Sequence, residues 1–369
     1  MKFSDFIPIL LTPLFLALMF FGIVYSDSKI YIHLTRYFQG VALNPPAGWL
    51  SSRPLIPLLV SPIAFFLDMP FAWGILNTFF WIGSTFLIYS ITNHIMRSRN
   101  AALSSAILLS SAPPALLYFG SVMLEAGATF FAFLTLWLYL KFRNERKLLF
   151  VPILAGVGLL AKESTLPVVL SIVLLGLIDK EYRKTIKFTI LLAIPAIVWQ
   201  TYTTLAFGEN YITHYLRAGI EYSQTRYSTP FYSDLIDILK ALALGHFPLG
   251  AAAVLIGFIN TSDRKLNLNF YALLIPALAS YAAWPFRDLR IAVVTYYATM
   301  PVAGLGLEEI SISLGSKPLL NKIGLRNIKI LLYIVNISAS ILYVYTNLGR
   351  FSPPWEIYLF APSSLKAGL

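Results

Sequence analysis

A carboxylate and several basic side chains lie close together in the stretch VYSDSKIYIHLTRYFQG, residues 24–40. They are Asp27, Lys29, His33 and Arg36, and they directly follow the first long apolar segment of the chain. A carboxylate can take a proton from a nucleophile, and neighbouring cations can bind a phosphate through charge-assisted hydrogen bonds. This pattern indicates transfer of a group from a phosphate-linked donor.

Further ionisable residues recur near the predicted ends of apolar segments, on the same predicted face. Such groups are costly near lipid, and they are therefore functional candidates. Together with Asp27, the set comprises Lys29, His33, Arg36, Arg53, Glu125, Lys162, Glu163, Arg287, Asp288 and Arg290. His33 is expected to have a structural role.

The amino-acid composition indicates which kind of protein structure holds these residues in place. Of the 369 residues, 57% are apolar and only 12% are charged, whereas soluble domains carry roughly twice that charge. A chain this apolar cannot cover itself with polar surface, so its surroundings must be largely lipid. We predict an all-α polytopic membrane protein of about eleven transmembrane helices with a structured first external loop. The predicted spans are residues 6–25, 70–95, 101–117, 122–140, 148–161, 165–178, 186–207, 235–259, 270–284, 291–307 and 328–346.

The distribution of basic residues predicts the orientation. If residues 54–67, which are short and rich in proline, do not cross, 17 of the 28 Lys and Arg residues lie on one side, mostly in compact loops. Basic loops are typical of the cytoplasmic side. We therefore predict a cell-membrane protein with a cytoplasmic amino terminus and an extracytoplasmic working surface.

The chain shows no composition break, which predicts one integral-membrane domain over residues 1–369. Its two longest connections lie on the predicted external face. Residues 26–69 are expected to form a loop with short interfacial helices, and residues 208–234 a second long loop. Long irregular connections on one face commonly carry function.

Several other classes of chemistry are disfavoured. The chain has no cysteine, its four histidines lack metal-site spacing, and it has no nucleotide-binding glycine motif or serine-hydrolase elbow. The basic excess is typical of membrane topology, so we expect no nucleic-acid partner. No cofactor is predicted with certainty, and a carboxylate-only divalent metal site stays open.

Five sequence segments carry a family resemblance. They are SDSKIYIHLTRYFQG, SSRPLIPLLVSPIAFFLD, APPALLYFGSVMLEAGATFFAFLTLWLYLKF, GVGLLAKESTLPVV and WPFRDLRIAVVTYYATMPVAGLGLEEI. In order and spacing they resemble the polytopic C-type glycosyltransferases, which include the protein O-mannosyltransferases and the lipid A aminoarabinose transferases. The resemblance covers roughly residues 7 to 310. The first-loop acid is single here, and Leu289, Arg290 and Ile291 replace the usual arginine-aromatic pair.

The resemblance implies a polyprenyl-phosphate sugar donor and a hydroxyl acceptor on a lipid, glycan or protein, with membrane lipid around the enzyme. It also implies roles for individual residues. Asp27 would be the general base, and Glu125 would bind sugar or acceptor or hold a metal. The residues implied as ligands of the donor phosphate are Lys162, Arg290, Arg53 and Arg36.

Simpler interpretations remain open for each of these residues. Asp27 could simply be a solvated residue at a helix end. Glu125 could be a buried charge that is paired for structural reasons. Lys162 and Arg290 could be residues whose side chains extend to the membrane surface. A secondary transporter or flippase of a lipid-linked or small anionic substrate is the principal alternative function, because ionisable residues in spans also mark substrate paths. A non-catalytic scaffold subunit is a third.

Overall fold

The computed structural model describes residues 3–21, 23–25, 27–46, 49–143, 145, 150–208, 210–227, 231–260, 264–283, 289–351 and 356–357. Within them the chain forms seventeen α-helices. In chain order these are α1 Phe3–Met19, α2 Ser28–Phe38, α3 Leu55–Val60, α4 Met69–Met96, α5 Arg99–Ser111, α6 Pro113–Tyr118, α7 Glu125–Phe142, α8 Phe150–Ala161, α9 Leu166–Ile178, α10 Tyr182–Phe207, α11 Tyr211–Tyr227, α12 Phe231–Gly245, α13 Leu249–Ile259, α14 Arg264–Ala283, α15 Tyr296–Gly315, α16 Pro318–Asn321 and α17 Leu325–Phe351.

Shorter elements complete the described part of the chain. The 3-10 helices are Trp49–Ser52, Ile63–Phe65, Glu163–Thr165 and Leu289–Thr295. The strands β1 (Ile23–Val24) and β2 (Glu356–Ile357) form one antiparallel pair. The predicted all-α architecture is confirmed apart from this two-residue pair.

The apolar helices identify a multi-pass membrane protein. Among the described residues, three helical segments are long and apolar enough to cross a membrane: α4, α10 and Leu325–Asn347 within α17. The pair α12 and α13 would add a fourth if it acts as one span. The remaining apolar helices are shorter, so the number of eleven crossings stays a prediction.

Some predicted spans are interrupted in the structure. Residues 235–259, predicted as one span, form α12 and α13, whose axes meet at 103°. The break precedes α13 at Pro248, a residue that has no N–H to donate and that disfavours a helical residue before it. Residues 101–117 likewise divide into α5 and α6 at Ala112, immediately before Pro113.

Small residues allow the central helices to approach closely. A Cβ at Gly257 of α13 would overlap the carbonyl oxygen of Val302 in α15, and one at Gly306 would overlap that of Ala253. Gly304 faces Ser105 of α5 in the same way. Inside a lipid bilayer the hydrophobic effect does not drive helices together. Close van der Waals packing at small residues is therefore a principal cause of helix association.

The chain direction separates two ends of the helical bundle. We call the end where α1 and α8 finish and α7 and α15 begin the site end. We call the end where α4 and α7 finish and α5 and α10 begin the opposite end. The Arg143–Asp179 ion pair, with 3.4 Å between Nη1 and Oδ2, lies at the opposite end.

Both predicted external connections contain helices. Residues 26–69 hold α2, α3 and two 3-10 helices. Helix α3 has six residues, about 9 Å of helix at 1.5 Å per residue, which is too short to cross the hydrocarbon core. Residues 208–234 contain the seventeen-residue helix α11, whose regularity was not predicted. That these connections are external, and that residues 1–369 form a single domain, remain predictions.

Cysteine labelling tests which end faces the cytoplasm. Leu43, at 92% exposure, follows α2 near the site end, and the exposed Ser316 follows α15 at the opposite end. The chain has no native cysteine, so single substitutions report cleanly. In intact cells Leu43→Cys should react with a membrane-impermeant thiol reagent and Ser316→Cys should resist it until the membrane is permeabilised. The reverse pattern would overturn the predicted orientation.

Candidate functional site

Hydrogen bonds at the site end tie the segment around Asp27 to the segment before α7. Tyr25 Oη donates to the carbonyl of Leu117 at 2.7 Å, and Ser28 Oγ donates to the carbonyl of Val122 at 2.7 Å. The Val122 N–H in turn donates to the carbonyl of Ile23 at 2.9 Å. These bonds flank Asp27, and they therefore hold it beside the start of α7.

Glu125 occupies the first residue of α7. Its carboxylate is thus near the positive end of a helix macrodipole, which stabilises negative charge. The turn before it is held by Asn77 of α4, whose Nδ2 donates to the carbonyls of Ser121 at 2.6 Å and Met123 at 2.8 Å. The position of Glu125 is therefore set by a buried polar contact between α4 and the start of α7.

Four of the predicted site residues form a continuous chain of charges. Arg290, from the 3-10 helix before α15, places Nη1 3.0 Å from Asp27 Oδ2 and Nε 3.6 Å from Glu125 Oε1. Lys162, directly after α8, donates from Nζ to the same Glu125 oxygen at 2.5 Å. The order is Asp27, Arg290, Glu125 and Lys162, with carboxylates and cations alternating. We call these four residues the charge chain.

Burial is greatest at the Glu125–Lys162 end of this series. The Asp27 side chain is 33% exposed and that of Arg290 24%, whereas those of Lys162 and Glu125 are 10% and 3% exposed. Asp27 is thus the carboxylate that a molecule arriving from outside reaches first. Glu125 and Lys162 lie at the inner end, where low dielectric strengthens electrostatic interactions.

The buried pair retains unused hydrogen-bonding capacity within the described part of the chain. Glu125 Oε2 is buried and has no hydrogen-bond partner there. Lys162 Nζ has three N–H donors, of which one is used by Glu125 Oε1. Buried polar groups are normally satisfied, so a pair with both a spare acceptor and spare donors is suited to bind a polar ligand.

Arg53 makes a different set of contacts. Its guanidinium donates from Nε to Glu163 Oε2 at 2.7 Å and from Nη2 to Glu163 Oε1 at 2.5 Å. Nη1 donates to Tyr31 Oη at 3.0 Å. Burial acts to lower the pKa of Arg53, but the combined charge interactions and hydrogen bonds with Glu163 and Tyr31 outweigh it and raise that pKa above its ordinary value. We call Arg53, Tyr31 and Glu163 the arginine clamp.

The arginine clamp connects α2 to the turn after Lys162. Tyr31 lies one helical turn beyond Asp27, and Glu163 is the residue after Lys162. The clamp therefore fixes the two chain segments that carry opposite ends of the charge chain. Its geometry gives Arg53 a positioning role, and its predicted role as a phosphate ligand stays untested.

A lysine substitution tests the arginine clamp. Arg53→Lys keeps the charge but loses the planar fork that binds Glu163 through two atoms, so we expect a loss of about 1–2 kcal/mol in the free energy of unfolding. Thermal unfolding in detergent measures it. The matched control is Arg143→Lys, whose partly exposed pair should contribute less than about 1 kcal/mol. Equal losses in both variants would contradict the clamp.

Other predicted residues are not joined to the charge chain. Arg36 lies in the last turn of α2, and its side chain forms no ion pair with the residues that the structure describes. His33 Nε2 lies 3.1 Å from the carbonyl oxygen of Asn44, which is a local contact within the first connection. Arg287 and Asp288 lie outside the described residues.

No metal-ligand cluster occurs within the described ranges, where no group of three His, Asp or Glu side chains converges. Glu125, the carboxylate that the resemblance offers to a metal, is paired with Lys162 and Arg290, and the nearby Asp27 is paired with Arg290. The arrangement therefore fits an anion beside cations better than a cation among carboxylates, since the basic groups occupy the space between the two acids.

The comparison with known proteins agrees with this architecture. The profile of the dolichyl-phosphate-mannose-protein mannosyltransferase family matches residues 53–202, which is less than half of the chain. No curated protein matches the sequence. Among solved structures, ArnT from Cupriavidus metallidurans bound to undecaprenyl phosphate has a TM-score of 0.62 at 13% identity. The match covers 94% of this chain and 72% of ArnT.

A second group of neighbours is larger than this chain. The archaeal oligosaccharyltransferase AglB from Archaeoglobus fulgidus, in complex with an inhibitory peptide and a dolichol-phosphate, has a TM-score of 0.53 at 12% identity. That match covers 93% of this chain and 55% of AglB, so the chain spans little more than half of its length. The chain has the fold of the polytopic C-type membrane glycosyltransferases, and the resemblance that its motifs indicated is confirmed.

Proposed function

We propose that this protein is a membrane glycosyltransferase that moves a sugar from a polyprenyl-phosphate donor to a hydroxyl acceptor on the extracytoplasmic face. The observation that carries the proposal is the alternating chain Asp27, Arg290, Glu125 and Lys162 at one end of a C-type glycosyltransferase fold. The bound undecaprenyl phosphate of ArnT and dolichol-phosphate of AglB support the donor class. The sugar and the acceptor stay open.

The donor phosphate would bind to Arg290 and Lys162. Both cations lie within 3.6 Å of the same Glu125 oxygen, so one phosphate can contact the two of them. Charge-assisted hydrogen bonds to phosphate are strongest where water is excluded, which is the case for the buried Lys162. The isoprenoid would lie outside the bundle along its apolar lipid-facing helices.

Asp27 would act as the general base. Its carboxylate takes the proton of the acceptor hydroxyl while the acceptor oxygen bonds to the anomeric carbon of the sugar. The bond from that carbon to the phosphate oxygen breaks, and the electron pair stays on the phosphate. Arg290 and Lys162 stabilise the charge that develops there. Glu125 Oε2, which has no hydrogen-bond partner among the described residues, would accept a hydrogen bond from a hydroxyl of the sugar or the acceptor.

Arg290 couples the two halves of this step. In the structure it donates to Asp27 at 3.0 Å. A donor phosphate that attracts the guanidinium would weaken this ion pair and leave the Asp27 carboxylate available to accept a proton. We therefore propose that donor binding precedes activation of the acceptor.

A charge-removing substitution at Arg290 tests the donor site. Hydrogen bonds to charged groups contribute about 1.5–3 kcal/mol, so Arg290→Gln should weaken binding of polyprenyl phosphate by about 10- to 100-fold. Arg143→Gln is the comparison, because Arg143 lies at the opposite end of the bundle, and it should change that affinity less than threefold by the same scale. Titration of purified protein with labelled polyprenyl phosphate measures both. Equal affinities for Arg290→Gln and the unmodified chain would remove Arg290 from the donor site.

A further inference from the structure

A second cleft lies at the opposite end of the bundle, between the last turns of α4 and α7. Its volume is about 480 Å³, within the range of small-molecule sites. It is remote from the charge chain, because Glu125 begins α7 whereas the cleft residues of that helix belong to its last two turns. The lining residues used below are Phe86, Asn93, His94, Trp137, Leu140 and Lys141.

The cleft is polar at its mouth and apolar along its wall. Asn93, His94 and Lys141 are exposed, whereas Phe86 and Trp137 are partly buried in the bundle. Lys141 Nζ lies 4.8 Å from the centroid of the Trp137 ring and 5.1 Å from that of Phe142. These cation–π contacts hold the ammonium at the boundary between the two parts.

The mouth also has an unbalanced positive charge. The residues that line the cleft include no Asp or Glu. Within the described ranges, neither Lys141 nor His94 is paired with a carboxylate. The neighbouring basic group Arg143 is already paired with Asp179. An anion at the mouth would therefore gain two hydrogen-bond donors that are not committed to another acid.

We propose that this cleft binds an anionic phospholipid from the leaflet at the opposite end of the bundle. The phosphate would lie between Lys141 and Asn93, with His94 beside it, and the start of one acyl chain would pack on Phe86, Trp137 and Leu140. Basic pockets between transmembrane helices on one membrane face are suited to lipid head groups. The volume accommodates a head group and the glycerol, and the remaining acyl chains stay in the bilayer.

Quenching of Trp137 fluorescence by brominated lipids tests this proposal. The protein is placed in phosphatidylcholine nanodiscs that contain small fractions of brominated phosphatidylglycerol or, separately, brominated phosphatidylcholine. The difference from the Trp137→Phe variant isolates the signal of Trp137 among the seven tryptophans. We expect phosphatidylglycerol to quench at a lower fraction than phosphatidylcholine. Lys141→Gln should reduce that preference by about fivefold, since one basic residue near an anionic lipid contributes about 1 kcal/mol.

The control variant is Lys184→Gln. It removes the same charge from a half-exposed lysine of α10 at the same end of the bundle, and it should keep the preference. His94→Gln provides a second variant at the mouth and should also reduce it. Equal quenching by the two lipids, or an unchanged preference in Lys141→Gln, would overturn the proposal. Loss of the preference on adding millimolar inorganic phosphate at constant ionic strength would overturn it in favour of a free-phosphate site.

Discussion

Replacing Asp27 by asparagine should lower turnover by about 10²- to 10⁴-fold, which is the usual contribution of a general base. Asparagine is nearly isosteric and its carbonyl still accepts a hydrogen bond from Arg290, but it cannot take a proton from the acceptor. The loss should therefore appear in kcat at saturating donor, whereas the affinity for polyprenyl phosphate changes little. Single-turnover transfer with purified protein measures the chemical step directly.

The control for this substitution is Asp237→Asn. Asp237 is a half-exposed acid of α12 that pairs with Lys240 at 3.9 Å, so its replacement removes one carboxylate without touching the charge chain. It should leave turnover within about twofold, which is close to no change on a free-energy scale. Turnover of Asp27→Asn equal to that of the unmodified protein would end the assignment of Asp27 as the base.

The second large effect concerns stability at Glu125. Glu125→Gln removes the negative charge from a side chain that is 3% exposed and leaves the buried Lys162 ammonium uncompensated. Breaking one partner of a buried pair costs about 3–5 kcal/mol. We expect a loss of that size in the free energy of unfolding, together with loss of transfer. The free energy of unfolding is measured in detergent by monitoring the circular dichroism of the helices as the protein unfolds.

A compensating double variant separates charge pairing from chemistry. Glu125→Leu combined with Lys162→Met replaces the buried pair by apolar side chains of similar length, a change that is often neutral or stabilising. The double variant should recover most of the stability lost in Glu125→Gln but stay inactive, because it lacks a phosphate ligand. Recovery of both stability and transfer would show that the pair is structural and that the donor site lies elsewhere.

The location of the charged cluster could be predicted from the sequence because a membrane-spanning chain can follow only a few paths. A span must cross and return, so charged residues at alternate span ends collect on one face. This reasoning placed Asp27 and Arg290 on one face although they are 263 positions apart, and the family resemblance then selected them, with Glu125 and Lys162, from the larger set of charged residues there. It could not indicate which carboxylate pairs with which cation, since that depends on side-chain geometry at sub-ångström scale.

Two features of the structure were not predicted from the sequence, and the reason can be given for each. The arginine clamp joins residues 110 positions apart through the irregular connection that contains Arg53, and hydropathy does not determine the path of such a connection. The 103° bend between α12 and α13 lies inside a segment whose mean hydropathy is high enough for one continuous span. Pro248 was the available signal for it, but proline is tolerated inside many transmembrane helices and does not by itself predict a break.

A doubly labelled donor tests the central claim most directly, because it separates bond cleavage from transport. Polyprenyl phosphate carrying a ¹⁴C sugar and a ³²P phosphate is incorporated into proteoliposomes with a panel of hydroxyl acceptors. We predict that the ¹⁴C moves to an acceptor while an equal amount of ³²P remains as polyprenyl phosphate, and that both changes disappear in Asp27→Asn. Movement of the intact donor between leaflets, with both labels still joined and the rate unchanged in Asp27→Asn, would contradict the account and identify a transporter.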